Sequence, residues 1–198
     1  VRDQGLADRG LLSGKVGAKS GKPYHPTGLY ELVTSGNGKK TWVQDTGEGL
    51  HRRSLYTYWK RSVPHPAMMA FDAPGRENCT VRRTRSNTPL QALNLMNDPV
   101  FFEAAQGLAL RIMRESAGAF RDRLGFAYAV TLGRQPSTRE AERMGKYFDD
   151  SSRNLQAHPQ TVAALFPNQI EGVPQSEAAA WVELSRVLLN LDEFITKD

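Results

Sequence analysis

Apolar positions recur at helical spacing through the second half of the chain and show no such period in the first. Phe101, Ala104, Ala105, Leu108 and Ile112 share one face, and Phe120, Leu124, Ala127, Tyr128 and Leu132 share another that Gly133 ends, the three-and-four recurrence of amphipathic helices with a glycine stop. Ala141, Met144, Phe148 and Leu155 mark a third face, and "PQTVAALF" a short further piece. From about Ser176 the last stripe holds Trp181, Leu184, Leu188, Leu191 and Ile195, and Val182, Val187 and Leu189 widen it. A stripe that wide predicts the central helix. The starts are written in the same stretch. Thr88 precedes Pro89 and stands three before Gln91, Asp98 precedes Pro99, and Ser137 stands three before Glu140, which are helix-capping orders.

Residues 1–28 hold six of the 17 glycines with Lys, Ser and Pro between them, a composition for turns and extended chain, so they are expected to form an arm or linker. Two strand-like runs, 29–34 and 41–45, flank "SGNGKK" with Asn37 and Gly38, and predict a small β-hairpin. If residues 54–61 are helical, Leu55, Tyr58 and Trp59 share an inward face. With 198 residues and 39% hydrophobic content, the chain can bury one core. The expected architecture is mainly α: about five to seven helices in a single domain over 29–198, with 29–87 irregular and basic and 88–198 a helical bundle. The chain begins with Val1 and not Met, so it is expected to be a piece of something longer, truncated on its N-terminal side.

Charge adds a candidate chemistry. The net charge is +5, which favours an anionic partner: nucleic acid, a lipid surface or an acidic polysaccharide. Between Arg52 and Arg85 stand Arg52, Arg53, Lys60, Arg61, Arg76, Arg82, Arg83 and Arg85 against Asp72 and Glu77, a local surplus larger than that of the whole chain. Arginine forks match carboxylate, phosphate and sulfate through paired hydrogen bonds. Arg52, Arg53, Arg61, Arg76, Arg82, Arg83 and Arg85, with Tyr56, Tyr58 and Trp59 as a platform, are therefore the candidate ligand-binding residues. The alternative is structural: the same guanidiniums stack on these aromatics and pair with Asp72, Glu77 and helix carbonyls. Nucleic acid is disfavoured, because no recognition module accompanies the cluster.

Catalytic and metal chemistry find less purchase. Cys79 is the only cysteine, which excludes an internal disulfide, a multi-cysteine zinc site and the haem-attachment motif. His25, His51, His65 and His158 are scattered without a metal-binding spacing, so no metal site is expected. His65, Asp72, Glu77 and Cys79 could converge as base, orienting groups and nucleophile, although a lone cysteine more often serves as a small buried apolar residue. No run of about 18 apolar residues appears, so no membrane span is expected.

Over "RRSLYTYWKR", "FDAPGRENCTVRRTRSNTPLQALNLMNDPVFFEAA", "LGRQPSTREAE" and "AAAWVELSRVLLNLDEFITKD", the chain resembles an uncharacterised C-terminal domain family of large planctomycete proteins that often carry a haem-c-type cytochrome domain. The resemblance covers about residues 23–198. It implies a module of an exported, extracytoplasmic multidomain protein whose partners are upstream domains of the same polypeptide. Any haem c would sit on another domain, since this chain carries no cofactor of its own, and the family brings no catalytic roles with it. The function expected is binding of an anionic ligand, such as an acidic or sulfated carbohydrate, through the arginine-rich centre. The alternatives are part of an oxidoreductase or hydrolase site using Asp72, Arg76, Glu77 and His65, or a purely structural domain.

Overall fold

A computed structural model describes residues 1–33, 41–60, 63–75, 77–82 and 84–196. Ten helices occur among them, with no sheet or barrel. α1 (Arg2–Asp8), α2 (Leu29–Val33) and α3 (Pro66–Ala70) are short; α4 (Pro89–Asn97), α5 (Pro99–Glu115), α6 (Phe120–Leu132), α7 (Thr138–Gln156), α8 (Pro159–Leu165), α9 (Gln175–Leu189) and α10 (Asp192–Ile195) make the bundle. The mainly helical reading of the sequence is what the fold shows.

Local chemistry explains the bundle's starts and stops. At α4 the Thr88 hydroxyl accepts from Gln91 N–H at 3.3 Å while Gln91 Oε1 accepts from Thr88 N–H at 3.0 Å, answering two donors that the helix leaves open. Asp98 Oδ1 accepts from Val100 N–H at 2.8 Å to start α5, and Ser137 and Glu140 exchange the reciprocal pair at α7. α6 ends on Gly133 at φ 72°. Arg134, next in the chain, holds Glu140 and Glu193 through paired bonds of 2.6 to 3.0 Å, tying the starts of α7 and α10 to the end of α6.

α9 packs against both α5 and α7, and Ala179, Val182, Leu184 and Leu188 are fully enclosed. Trp181 stacks on Phe120 at 5.4 Å and meets Phe148 at 4.9 Å, so one indole joins α6, α7 and α9. The stripe that marked this helix runs further in sequence than in space. α9 stops at Leu189, Asn190 leaves the helix, and Leu191 caps the separate α10 that contains Ile195.

Three expectations for the first half change. The arm over 1–28 begins instead with α1, which packs on α5 and α6 and buries Leu6 at 1% exposure. Gln4 Nε2 donates to Thr131 O at 3.1 Å and Arg111 Nη1 to Asp8 O at 2.8 Å, so long-range bonds hold a segment whose glycines disguise it. The hairpin does not form as expected: 29–33 is helical and 41–46 has no ladder, because Trp42 turns its N–H to the Glu31 carboxylate at 3.2 Å and its indole N–H to Pro23 O at 3.0 Å. Its turn, 34–40, lies outside the described residues. Finally, the helix expected over 54–61 does not form across its described part, 54–60; a single 3₁₀ turn at Ser54–Tyr56 precedes extended chain, and Leu55 is 66% exposed. Tertiary pairing overrides the local pattern there, since Gly21 N–H donates to Tyr56 O at 2.8 Å and Tyr58 N–H to Gly21 O at 2.7 Å. The approach requires glycine: a Cβ on Gly21 would stand 2.9 Å from Gly49 O.

Replacing Trp181 with alanine removes the joint of three helices and leaves a cavity, so equilibrium urea unfolding should show a loss of about 3–5 kcal/mol.

Candidate functional site

The predicted arginine centre comes apart when its members are located. Arg52 is 8% exposed; its Nη1 and Nη2 donate to the carbonyls of Lys19 and Gly17, and the guanidinium lies 4.2 Å over the Tyr56 ring. The Tyr56 hydroxyl in turn accepts from Gly17 N–H at 3.2 Å. Both residues are therefore engaged in holding the 13–21 segment, which also pairs through Ser13 N–H to His51 O at 2.9 Å. Arg53, Arg82 and Arg85 are exposed, and Arg85 lines a cavity with Asp72, Ser86 and Gln91. Arg61, Arg76 and Arg83 lie outside the described residues.

The aromatic platform divides as well, because successive residues of extended chain face opposite ways. Tyr58 lies under the Lys22 ammonium at 5.4 Å and beside Trp42 at 6.0 Å, in an aromatic cluster with His25 and Tyr30. Trp59 lines a different space, a cavity of about 350 Å³ bounded by α1, α3 and the start of α5, together with Arg2, Asp3, His65, Phe71 and Asp98.

Each polar group of that cavity has a definable state. Arg2 donates to Leu50 O at 2.7 Å and to Arg52 O at 2.9 Å, while its buried Nε has no hydrogen-bond partner among the described residues. Burial lowers the Arg2 pKa, against the opposing pull of Asp3 and Asp98. Asp3 Oδ1 accepts from the Ser54 backbone N–H at 2.7 Å and hydroxyl at 2.6 Å. Asp98 uses one oxygen as the α5 cap, and burial raises its carboxyl above the ordinary carboxylate range, partly offset by the Val100 N–H and by Arg2. His65 is 5% exposed, and its Nε2 faces Tyr24 O at 2.8 Å. A carbonyl only accepts, so Nε2 carries the proton and Nδ1 presents a lone pair, buried and without a partner among the described residues. Burial pushes the His65 pKa down to about 4, only partly opposed by the Tyr24 carbonyl. The ring is neutral at pH 7.

The candidate catalytic residues are not gathered. Asp72 Oδ2 accepts from Ser86 N–H at 2.9 Å and Oγ–H at 2.7 Å, at a left-handed φ of 56°, and lines a separate cavity from His65. Glu77 and Cys79 are exposed. Among the described residues, no group of three or more His, Cys, Asp or Glu is placed to hold a metal, and no helix is long and apolar enough to cross a membrane.

The sequence reading missed Arg2 and assigned Asp98 only its capping role. The signal for Asp98 was present, because a carboxylate between two helices sits where the chain turns and a cavity can open. Arg2 carried no signal, standing in a stretch whose composition resembles a linker.

These features define a mainly helical domain whose irregular N-terminal lobe is tied down by arginines and encloses a mixed polar and aromatic cavity. The chain belongs to the PSD1 family, a protein of unknown function (DUF1553), whose family model matches residues 1–148. That match takes in α1, upstream of residue 23 where the resemblance begins, and ends within α7, short of α8, α9 and α10. No curated protein and no solved structure is significantly similar to the chain.

Two measurements check this description. Arg52→Met should lower stability by about 2 kcal/mol, since it leaves two backbone carbonyls unanswered, whereas Arg53→Met at an exposed position should change urea unfolding by less than about 0.5 kcal/mol. For His65, the unfolded chain takes up a proton near the ordinary value of 6.5 that the folded chain refuses until about 4. Its contribution is complete above 6.5 and is lost as pH falls toward 4, by roughly 3 kcal/mol. Asp98, with its raised pKa, works in the opposite sense, so the diagnostic result is a flatter stability profile between pH 6.5 and 4 in His65→Gln than in the parent.

Proposed function

We propose that the domain is a carbohydrate-binding module that seats a sugar unit in the cavity bounded by α1, α3 and the start of α5. The observation that carries this reading is the lining itself. The Trp59 and Phe71 rings meet the Asp98 carboxyl, the His65 lone pair and the Arg2 Nε–H in a space of about 350 Å³, within the size range of small-ligand sites. A sugar ring has apolar C–H faces that pack on aromatic rings, and hydroxyls that both donate and accept. Asp98 and His65 Nδ1 supply acceptors and Arg2 Nε a donor. Neutral His65, one cation and the two carboxyl groups Asp3 and Asp98 leave no positive surplus inside, which favours hydroxyl recognition over capture of an anion.

The surplus charge lies elsewhere, in the exposed Arg53 and Arg82 and the overall +5, and supports attraction of an acidic or sulfated polysaccharide rather than its specific recognition. The proposed setting is the one the family resemblance implies: an exported, extracytoplasmic multidomain polypeptide, with upstream domains as partners and haem c on one of those domains. A reaction centre is a weaker reading, given the separation of His65 from Asp72.

A glycan array with neutral, carboxylated and sulfated polysaccharides, followed by calorimetry on the hits, tests the proposal. Trp59→Ala should weaken binding at least about tenfold. Asp98→Asn, which preserves the helix cap because asparagine caps as well as aspartate, should weaken it with the melting temperature unchanged. No binding to any polysaccharide, or unaltered affinity in both variants, would overturn the reading.

A further inference from the structure

We infer that the cleft between the end of α1 and the outer face of α5 is a binding site for an oxyanion, the carboxylate or sulfate group of an acidic ligand. This inference goes beyond the sugar-cavity reading and does not depend on it. The cleft has a volume of about 460 Å³, and its walls include Arg9, Glu103, Gly107, Arg111, Arg114 and Glu115. None of the three arginines belongs to the basic run between Arg52 and Arg85.

Arg9 is the built element. Its side chain is 6% exposed and donates from Nη2 to Glu103 Oε1 at 2.7 Å. Its Nε and Nη1 are buried with no hydrogen-bond partner among the described residues. Buried guanidinium donors left unanswered are costly, because they forgo hydration without recovering a protein bond. The sequence also makes a seat for this fork. A Cβ on Gly107 would stand 2.7 Å from Arg9 Cδ and 2.9 Å from Nε, so only glycine lets the side chain lie across α5. Glycine inside a helix costs about 1 kcal/mol relative to alanine. The close approach of Arg9 gives that cost a reason.

The charges around the fork favour an anion. Glu103 is paired to Arg9, and Glu115 to Arg111 at 3.0 Å, while Arg111 also donates to Asp8 O at 2.8 Å. Both acids are therefore already answered. Arg114 is exposed and makes no ion pair among the described residues, so three arginines face two glutamates and one positive charge remains. An oxyanion supplies acceptor oxygens only, which suits a fork of donors. Carboxylate and sulfate share that chemistry, and the test separates them.

The chain is titrated with inorganic sulfate, and separately with glucuronate, against sodium chloride of matched ionic strength. The readout is the Arg9 Nε–H resonance, assigned by its loss in Arg9→Lys. The expected result is a saturable shift with Kd below about 10 mM for at least one probe; the tighter probe identifies sulfate or carboxylate as the preferred group. By calorimetry, Arg9→Lys, which keeps the charge and removes the fork, should bind at least about tenfold more weakly, as should Gly107→Ala. Arg114→Gln, an exposed change that leaves the fold intact, should bind about threefold more weakly. A shift no larger than the chloride control for both probes would overturn the inference, and so would parent-like affinity in both Gly107→Ala and Arg114→Gln. Loss of polysaccharide binding in Trp59→Ala with these saturable shifts retained would support an oxyanion site independent of the sugar cavity.

Discussion

Between Gly10 and His65 the described backbone forms only isolated pairings and short helical turns, so its carbonyls cannot rely on a ladder for partners. Buried or half-buried backbone oxygens must still be answered. Guanidinium groups perform much of that task. Arg2 reaches Leu50 O and Arg52 O, and Arg52 reaches Gly17 O and Lys19 O. Arg2 stands on α1, and α1 is fixed to α5 and α6 by Leu6, Gln4 and the Arg111 bond to Asp8 O. The chain of dependence thus runs from the bundle through α1 and Arg2 to the 50–54 turn, then through Arg52 to the 13–21 segment. The cavity walls contributed by Ser54, Leu55 and Trp59 stand where they do because of that sequence of bonds.

The division in legibility follows from the same physics. The bundle could be read in advance because its determinants are local: a cap at Thr88, Asp98 or Ser137 acts within one turn, and a stripe such as Phe101 to Ile112 repeats within its own helix. The irregular lobe could not, because its determinants are far apart in sequence. Arg52 is tied to residues more than thirty positions away, and the Tyr56 and Tyr58 backbone groups meet Gly21. Nothing within "SLYTYW" announces those partners, so a helical face was the natural expectation for Leu55, Tyr58 and Trp59. The error over α9 has a different origin. Periodicity continued through Leu191 and Ile195, and only the turn at Asn190 shows that the same apolar face is carried by two elements.

For the candidate site, the sequence named residue types and the structure shows where they stand. Arginine clustering in sequence suggested one ligand-binding centre, but density along the chain does not say what the forks will face. Arg52 faces carbonyls of its own chain and Arg85 an acid-bearing cavity edge. Trp59 is a candidate platform residue in the sequence, yet its companions at the cavity, Arg2 and Asp98, come from α1 and from a helix cap. A cap is a local function that satisfies sequence reading completely, and for that reason it conceals the place of the same carboxylate in the cavity wall.

Separation of the excess charge from the aromatic cavity also constrains what the cavity can hold. A neutral imidazole at His65 follows from its enclosure beside Tyr24 and the His25 ring, 5.5 Å away, since protonation there would place a second cation in a space that Arg2 already occupies. Asp98 resists ionisation for the same reason of burial, while Arg2 opposes the effect. Inside the cavity, therefore, the groups are arranged to exchange hydrogen bonds with little net charge. Outside, Arg53 and Arg82 stand exposed, where screening limits each of them to a modest, long-range attraction. On the proposed reading, recognition falls to the enclosed groups, which alone have the fixed geometry that specificity requires, and attraction to the exposed cations.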